Sequence, residues 1–432
     1  MKFRKRDMKA SAGRILMIVE NPYPQDTRVR NEANKLYNAG YSVSVIAKKY
    51  PNQPLTENVF GVNVYRVPWF EVFKKSTESK SFIIRLFYKI ATKLGYIIEY
   101  FYFTFAAFIY SFYVLIKDGF DVIHQHNPPN TLFVIGLFYR LLGKKFVFDH
   151  HDLSPELYLS RYKTNGGIIH KALLLEEKLC LRSANIIIAT NESYKEIDIK
   201  RGKKNPDDIF IVRNGPDLNL FKEVEPDKEL KSTGKKILVY IGVMGPQDGV
   251  DYLLRSLHIL VNEFNRKDFH CVIIGPGDSL EDLKKLREEL NLQEYCRFTG
   301  KIPFADLLKY LSTADICVDP NPSNPLNDYS TWIKVMEYMS LGKPIVSYNL
   351  RETRYSAQQA ALYATPNDER EFAQRIIELM DNPQLREEMG KFGKQRVKNE
   401  LAWEIVSENL LKAYRKLLPD KIPLKAETSS AI

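Results

Sequence analysis

Short apolar runs alternate with helically spaced apolar positions along most of this chain. The runs Ile15–Val19, Ser42–Ala47, Val62–Val67, Asp121–His124, Lys145–Phe148, Ile186–Ala189 and Ile209–Val212 have the length and near-continuous apolar character of strands buried on both faces. Between the first two, Asp26–Ala39 puts Ala33 and Leu36 on one face and ends at Gly40, which predicts a helix with a glycine cap. A second series starts near Lys235, with strands expected at Lys236–Ile241, His270–Ile274, Arg297–Thr299, Ile316–Val318 and Pro344–Tyr348. Strands alternating with helices build a parallel sheet covered by helices, so the expected class is α/β with two Rossmann-like, doubly wound domains.

The pattern also places the boundaries. Residues 1–215 form the first domain and 236–400 the second. The charged, turn-rich stretch 216–235, with EVEPDKELKSTGKK, reads as the linker. Trp403, Ile405, Leu410 and Leu411 share a face of one helix over 401–418, expected to pack back towards the first domain, and 419–432 reads as a disordered tail. Two such domains face each other across a central cleft lined by the carboxyl ends of their strands, where ligands bind.

At 432 residues the chain has room for two or three cores, and 44% hydrophobic with 27% charged residues is ordinary globular composition. A net charge of +10 suits an anionic partner. Nucleic acid is not expected, because neither zinc-finger spacing nor an RNP-like aromatic run accompanies the charge. Cys180, Cys271, Cys296 and Cys317 form no C-x-x-C pair and lie mostly in apolar runs, so buried free thiols of a cytoplasmic protein are expected. Met1 to Arg6 is basic with no apolar core before Ile15, unlike a secretory signal.

One segment complicates a purely soluble picture. Tyr100–Ile116 runs 17 residues without a charge, after a flank carrying Arg85, Lys89 and Lys93. It reads as a helix covering the first sheet, as a monotopic element dipping aromatics into an anionic membrane surface, or as a short span. The chain connection between two strands of one sheet argues against the span.

The candidate chemistry collects in the second series. Gly242 and Gly245 follow a strand and precede a helix at Val250–Leu257; Gly275 and Gly277 repeat the arrangement. Glycines there let a backbone approach a pyrophosphate at a helix N-terminus, although each stretch taken alone reads first as an ordinary strand-to-helix turn. Lys301 and Ile302 follow a strand end whose main chain can read a nucleobase. Ser330 or Thr331 would cap a helix carrying Lys334 and Glu337 three residues apart on one face. Glu337 can accept both hydroxyls of a ribose, or simply pair with Lys334.

The order of motifs across Arg14 to about Leu418 resembles the retaining GT-B glycosyltransferases of family 4, also described as group 1, in the branch found in bacterial exopolysaccharide and O-antigen clusters. Matching pieces are Asp26-Thr27-Arg28-Val29 with Glu32-Ala33, Asp121 to His126, His150-His151-Asp152 with Pro155-Glu156, and Val212 to Gly215. They continue in Glu337-Tyr338-Met339 with Gly342-Lys343-Pro344, then Glu352-Thr353-Arg354. The resemblance implies that Glu337 holds the ribose, that His126 lies beside the transferred sugar with Asp152 as a second catalytic candidate, and that Arg28 and His151 shape the acceptor side. It implies a nucleoside-diphosphate sugar as donor substrate, with no cofactor and no metal. The chain has no Asp-x-Asp, the metal motif of GT-A enzymes. A glycan or polyprenyl-linked acceptor at the inner face of the cell membrane, in lipopolysaccharide or related polysaccharide synthesis, completes the implied picture. Two positions depart from the family pattern. Tyr329 stands eight residues before Glu337, where a second glutamate is usual, and Met244, Gln247 and Asp248 replace the basic residues that usually neutralise the diphosphate, leaving Lys334 and Lys301 nearest. A GT-B sugar-nucleotide epimerase and a non-catalytic nucleotide-sugar-binding subunit remain the alternatives.

Overall fold

Two parallel sheets organise the chain. A computed structural model describes residues 12–69, 82–162 and 164–421, without the side chains of 82–94, 96 and 97. The basic start at Met1–Arg6, the side chains of the flank residues Arg85, Lys89 and Lys93, and the tail beyond Lys421 lie outside this description.

The first sheet is built from β1 (Arg14–Pro22), β2 (Ser42–Lys48), β3 (Thr56–Val59), β4 (Val62–Val67), β5 (Val122–His126), β6 (Lys145–His150), β7 (Ile186–Ala189) and β8 (Ile209–Ile211). Its order is β3-β4-β2-β1-β5-β6-β7-β8. All neighbours pair in parallel except β3 with β4, an antiparallel edge. Strand β3 was not among the expected strands, because Thr56-Glu57-Asn58-Val59 is solvent-facing and has no apolar pattern. The strand order turns back between β1 and β5, a switch point in the sense of doubly wound folds.

After β1 comes the helix Thr27–Asn38, where the Asp26 carboxylate accepts the Val29 N–H at 3.0 Å and Val29, Ala33 and Leu36 are buried. It ends at Ala39, and Gly40, at φ +92°, closes it as a glycine cap: the Gly40 and Tyr41 N–H groups bond the Tyr37 and Leu36 carbonyls at 2.9 and 3.1 Å. The aromatic segment lies within one helix, Phe82–Lys117. Its Ile98–Lys117 stretch is long and apolar enough to cross a membrane by length and composition alone. One face, with Phe103, Ala107 and Val114, is fully buried, so this helix does cover the sheet. Its other face leaves Phe101, Phe105, Ile109, Phe112, Tyr113 and Ile116 exposed.

The second sheet contains β9 (Lys236–Ile241), β10 (Phe269–Ile274), β11 (Cys296–Gly300), β12 (Ile316–Asp319), β13 (Ile345–Tyr348) and β14 (Ala361–Ala364), all parallel, in the order β11-β10-β9-β12-β13-β14. Its switch point lies between β9 and β12. The last strand, β14, went unread because ALYA is too short to stand out. All four cysteines are buried and free, as their apolar surroundings predict.

The chain divides into two compact units. The first runs to Ser154, resumes over Lys171–Val212 and takes the chain from Ser407 onward; the second comprises Pro155–His170 and Arg213–Val406. Two expectations need correction. The stretch 216–235 is not a solvated linker, since Leu230 of the helix Lys228–Ser232 is buried in a core of the second unit, with Leu218 and Phe221 packed beside it. Nor is 401–418 one helix. A π-helical turn at Val397–Leu401 ends in Ala402, whose backbone is extended, and the helices Trp403–Val406 and Glu408–Leu417 follow. The Trp403 N–H bonds the Pro216 carbonyl at 3.2 Å, a partner that a continuous helix could not offer.

Candidate functional site

In the first unit, the carboxyl ends of β5 and β6 and the helix after β1 meet around one buried carboxylate, Asp149. The Arg28 guanidinium grips it as a fork, Nε to Oδ2 at 2.8 Å and Nη2 to Oδ1 at 2.6 Å. His126 donates from Nδ1 to Oδ2 at 2.7 Å, and His151 does so at 3.0 Å. Burial pushes the Asp149 carboxyl up, but Arg28, His151 and His126 outweigh it and hold it well below the usual range. Because the carboxylate only accepts, both imidazoles present Nδ1–H to it. The Nε2 of His126 is buried and has no hydrogen-bond partner among the described residues. Burial keeps His126 below its ordinary value despite Asp149, whereas Asp149 lifts His151 above its own.

Three sequence candidates, Arg28, His126 and His151, therefore converge. Asp152 joins them through Asn127, whose Oδ1 accepts the His151 and Asp152 N–H groups at 2.9 and 3.2 Å and whose Nδ2 donates to the Asp152 carbonyl at 2.6 Å. Burial raises the Asp152 carboxyl. His124 is fully buried, like His126, with Nδ1 bonded to the Tyr414 hydroxyl at 3.0 Å.

Asp149 itself went unread. Its partners Arg28 and His126 lie 121 and 23 residues away, and a strand-end aspartate has no local signature. Glu32, 3.2 Å from Arg28, is raised well above its usual range by burial and by the Asp149 charge. Ligand-type atoms of Glu32, His124, His126 and Asp149 lie within 4.8 Å of one another. The Arg28 fork already supplies the cation for Asp149, and the cluster is organised as an ion network.

In the second unit, the donor-side candidates lie at the carboxyl edge of the sheet around its switch point. The loops after β9 and β10 lie backbone to backbone. A Cβ at Gly275 would stand 1.9 Å from the Gly242 carbonyl oxygen, and one at Gly277 2.2 Å from that of Met244. The close approach these two glycines permit is therefore to a neighbouring loop. The N–H groups of Gly242 and Gly275 are also taken, by the Ile274 and Gly300 carbonyls at 3.0 Å, and the Gly245 N–H donates to Asp248 Oδ2 at 2.8 Å. These are corrections to the reading of these glycines as a bare phosphate cradle. Lys301 is exposed beyond β11, and Ile302 packs on a core cluster of the unit.

The helix that follows β12, Ile333–Ser340, starts later than expected. Its N-cap is Trp332, with no side-chain cap. Ser330 and Thr331 do not cap it: Ser330 Oγ donates to the Leu326 carbonyl at 2.9 Å, and Thr331 Oγ1 lies 3.4 Å from Glu352. The turn before the helix uses the Ser330 hydroxyl and Glu352 engages that of Thr331, which leaves the first-turn N–H groups uncapped by a side chain.

Lys334, in that first turn, is buried, 3.3 Å from Asp319 Oδ1 and 4.6 Å from the Tyr240 ring centre. Burial alone would lower its value, but Tyr240, Asp319 and Asp248 outweigh that and keep it charged. Glu337 is half-buried, one turn on, and burial lifts its carboxyl to about 7 against the pull of Lys334. Its carboxylate makes no hydrogen bond to a described residue. Arg213, quoted only as part of a motif, bonds Glu352 at 3.2 Å and Thr331 at 3.3 Å and covers the Tyr355 ring at 4.0 Å.

Two parallel α/β units, each gathering polar side chains at its strand ends, define a protein of the GT-B fold class. Residues 25–220 match the family described as Glycosyltransferase Family 4, and residues 221–396 match Glycosyl transferases group 1. On these two adjoining matches the chain belongs to the group 1, family 4 glycosyltransferases. Sucrose-phosphate synthase from Thermosynechococcus elongatus shares the fold at a TM-score of 0.72 and 19% identity, over 94% of this chain and all of that one. Anabaena Alr3699/HepE, solved in complex with UDP and glucose, does so at 0.66 and 14%, over 94% of this chain and all of that one. Among sequences, the phosphatidylinositol N-acetylglucosaminyltransferase GPI3 subunit of Saccharomyces cerevisiae is 23% identical over 311 residues, 70% of this chain and 61% of the relative. The chain thus spans about three-fifths of that relative's length.

Proposed function

We propose that this protein moves a sugar from a nucleoside-diphosphate sugar to a glycan or lipid-linked acceptor, with retention, in cell-surface polysaccharide synthesis. The observation that carries this reading is the edge between β9 and β12, where an uncapped helix start, Lys334 and a carboxylate without a hydrogen-bond partner, Glu337, stand together. In this reading Glu337 accepts the ribose hydroxyls, and the first-turn N–H groups and Lys334 meet the diphosphate. Breaking the sugar–phosphate bond passes through an oxocarbenium-like state while charge grows on the departing phosphate, which those donors stabilise. The acceptor belongs to the first unit, where Asp149 fixes the ring orientation of His126 and leaves Nε2 free to accept from a sugar hydroxyl. Attack from the side of the departing phosphate lets that phosphate take the acceptor proton, so neither a resident metal nor a carboxylate nucleophile enters the scheme.

The acceptor class follows from the aromatic helix. Its exposed stripe suits the inner surface of the cell membrane, and a groove of about 480 Å³ beside it, lined by Phe101, Phe105, Phe108 and Phe138, suits a hydrocarbon chain. The GPI3 relative, by its name, also acts on a lipid.

Two measurements test the proposal. Nucleoside diphosphate should be released from the donor only when a membrane lipid extract supplies acceptor, which separates a transferase from an epimerase or a binding subunit. Product NMR should show the anomeric configuration of the donor; an inverted centre contradicts retention.

A further inference from the structure

The loop after β9 places an acid where the family usually has a base. Asp248 is nearly buried and folds inward, its Oδ2 accepting the Gly245 N–H at 2.8 Å and the Gln247 Nε2 at 3.1 Å. Among the described residues, three charged groups act on it most strongly. Lys334 comes from the helix after β12, Asp319 from the end of β12 and Arg161 from the helix Ser154–Tyr162. Lys334 is 3.3 Å from Asp319, and Arg161 is 2.7 Å from Asp278. Tyr240, from β9, faces Lys334 and stays neutral through the physiological range. Three carboxylates thus share two cations. Arg213 is likewise engaged, at 3.2 Å from Glu352. Lys301 is exposed, so solvent screens it. An incoming diphosphate would meet an edge whose cations are already paired and where burial pushes the Asp319 carboxyl up as well.

We propose that Asp248 is a proton-accepting positioning residue of the donor site: as the diphosphate of a nucleotide sugar binds, Asp248 takes up a proton from solvent and Lys334 turns its charge to the phosphate oxygens. The carboxylate becomes a neutral carboxyl, one proton is gained, and no covalent bond changes beyond that O–H. The inference rests on reading this edge as the nucleotide-sugar site. It explains how a donor site works without the usual basic pair, since the proton supplies the missing positive charge and the new hydroxyl becomes a further donor.

The sign follows from the surroundings. Burial already pushes Asp248 up, against Lys334 and the Gly245 N–H; Asp319 pushes the same way as burial, and a bound anion pushes further. Donor affinity should therefore fall as pH rises, by up to about tenfold per pH unit between the value of Asp248 in the free protein and its higher value in the complex. Glu337 titrates near 7 and must be separated from it.

The test is calorimetry of UDP-glucose, GDP-mannose and UDP-N-acetylglucosamine on the full chain at pH 7, in two buffers with different heats of ionisation. The phosphates of these probes do not titrate there. Whichever probe binds should take up more protons on the wild type than on Asp248→Asn, by up to about one per site, a difference in which any proton exchanged by Glu337 cancels. Asp248→Asn should bind at least as tightly at pH 8, while Glu337→Gln should still take up protons. Equal uptake by the wild type and Asp248→Asn, uptake lost only in Glu337→Gln, or binding that requires Mg²⁺ overturns the proposal and leaves the donor site standing. Failure of all three probes to bind overturns the donor site and this proposal together.

Discussion

Asp149 sets the state of three neighbouring side chains, and its substitution is the most informative single change in the first unit. Asp149→Asn keeps the size but removes the charge that Arg28, His126 and His151 all use. Removing one partner of a buried charge pair typically costs about 3–5 kcal/mol, because the other charge is left buried. Urea unfolding should show a loss of that size, and a cost below about 1 kcal/mol would mean the network is not as buried as described. At this scale Lys334 and Glu337 could be singled out as a charged pair three residues apart on one helix face, and Arg28, His126 and His151 through the family resemblance alone. Asp149 could not, because what distinguishes it is three partners brought from other elements, and spacing along the chain does not report them. Ser330 and Thr331 failed for a related reason. Both are good caps in isolation, but the Ser330 hydroxyl bonds back into the turn before the helix and the Thr331 hydroxyl is drawn to Glu352, 21 residues on.

Among the elements, the doubly covered parallel strands declared themselves through continuous apolar runs, and the two that did not, β3 and β14, are a polar antiparallel edge and a four-residue strand. The helix expected over 401–418 breaks at Ala402 because tertiary bonding to Pro216 competes with the local pattern, which periodicity alone cannot foresee. The aromatic helix is the element with most left to explain. Phe103, Ala107 and Val114 account for one face, and the exposed Phe101, Phe105 and Ile109 on the other have no role inside the unit. Replacing those three with serine should lower the fraction bound to anionic vesicles by tenfold or more in a sedimentation assay. Each buried apolar side chain of that size contributes about 1.5–3 kcal/mol when fully removed from water, so partial insertion of three suffices for that loss. Equal sedimentation of the variant and the wild type would remove this helix from the membrane reading.

At the scale of the molecule, two α/β units and their family followed from the order of weak motifs more than from any strong one. The basic balance of the whole chain, +10, says little about the donor edge, where Asp248, Asp278 and Asp319 outnumber the neighbouring Lys334 and Arg161. Local charge arrangement is invisible to composition, which is why the departure at Asp248 could be noticed in the sequence but not interpreted. The central claim is that the second unit holds a nucleotide sugar with Glu337 on its ribose. The most direct test is calorimetric titration of the same nucleotide sugar into the wild type and Glu337→Ala. A hydrogen bond to a charged group is worth about 1.5–3 kcal/mol, so losing even one of the two to the ribose should drop affinity at least roughly tenfold while the melting temperature of the free protein stays put. Equal affinity in the two proteins would contradict the account.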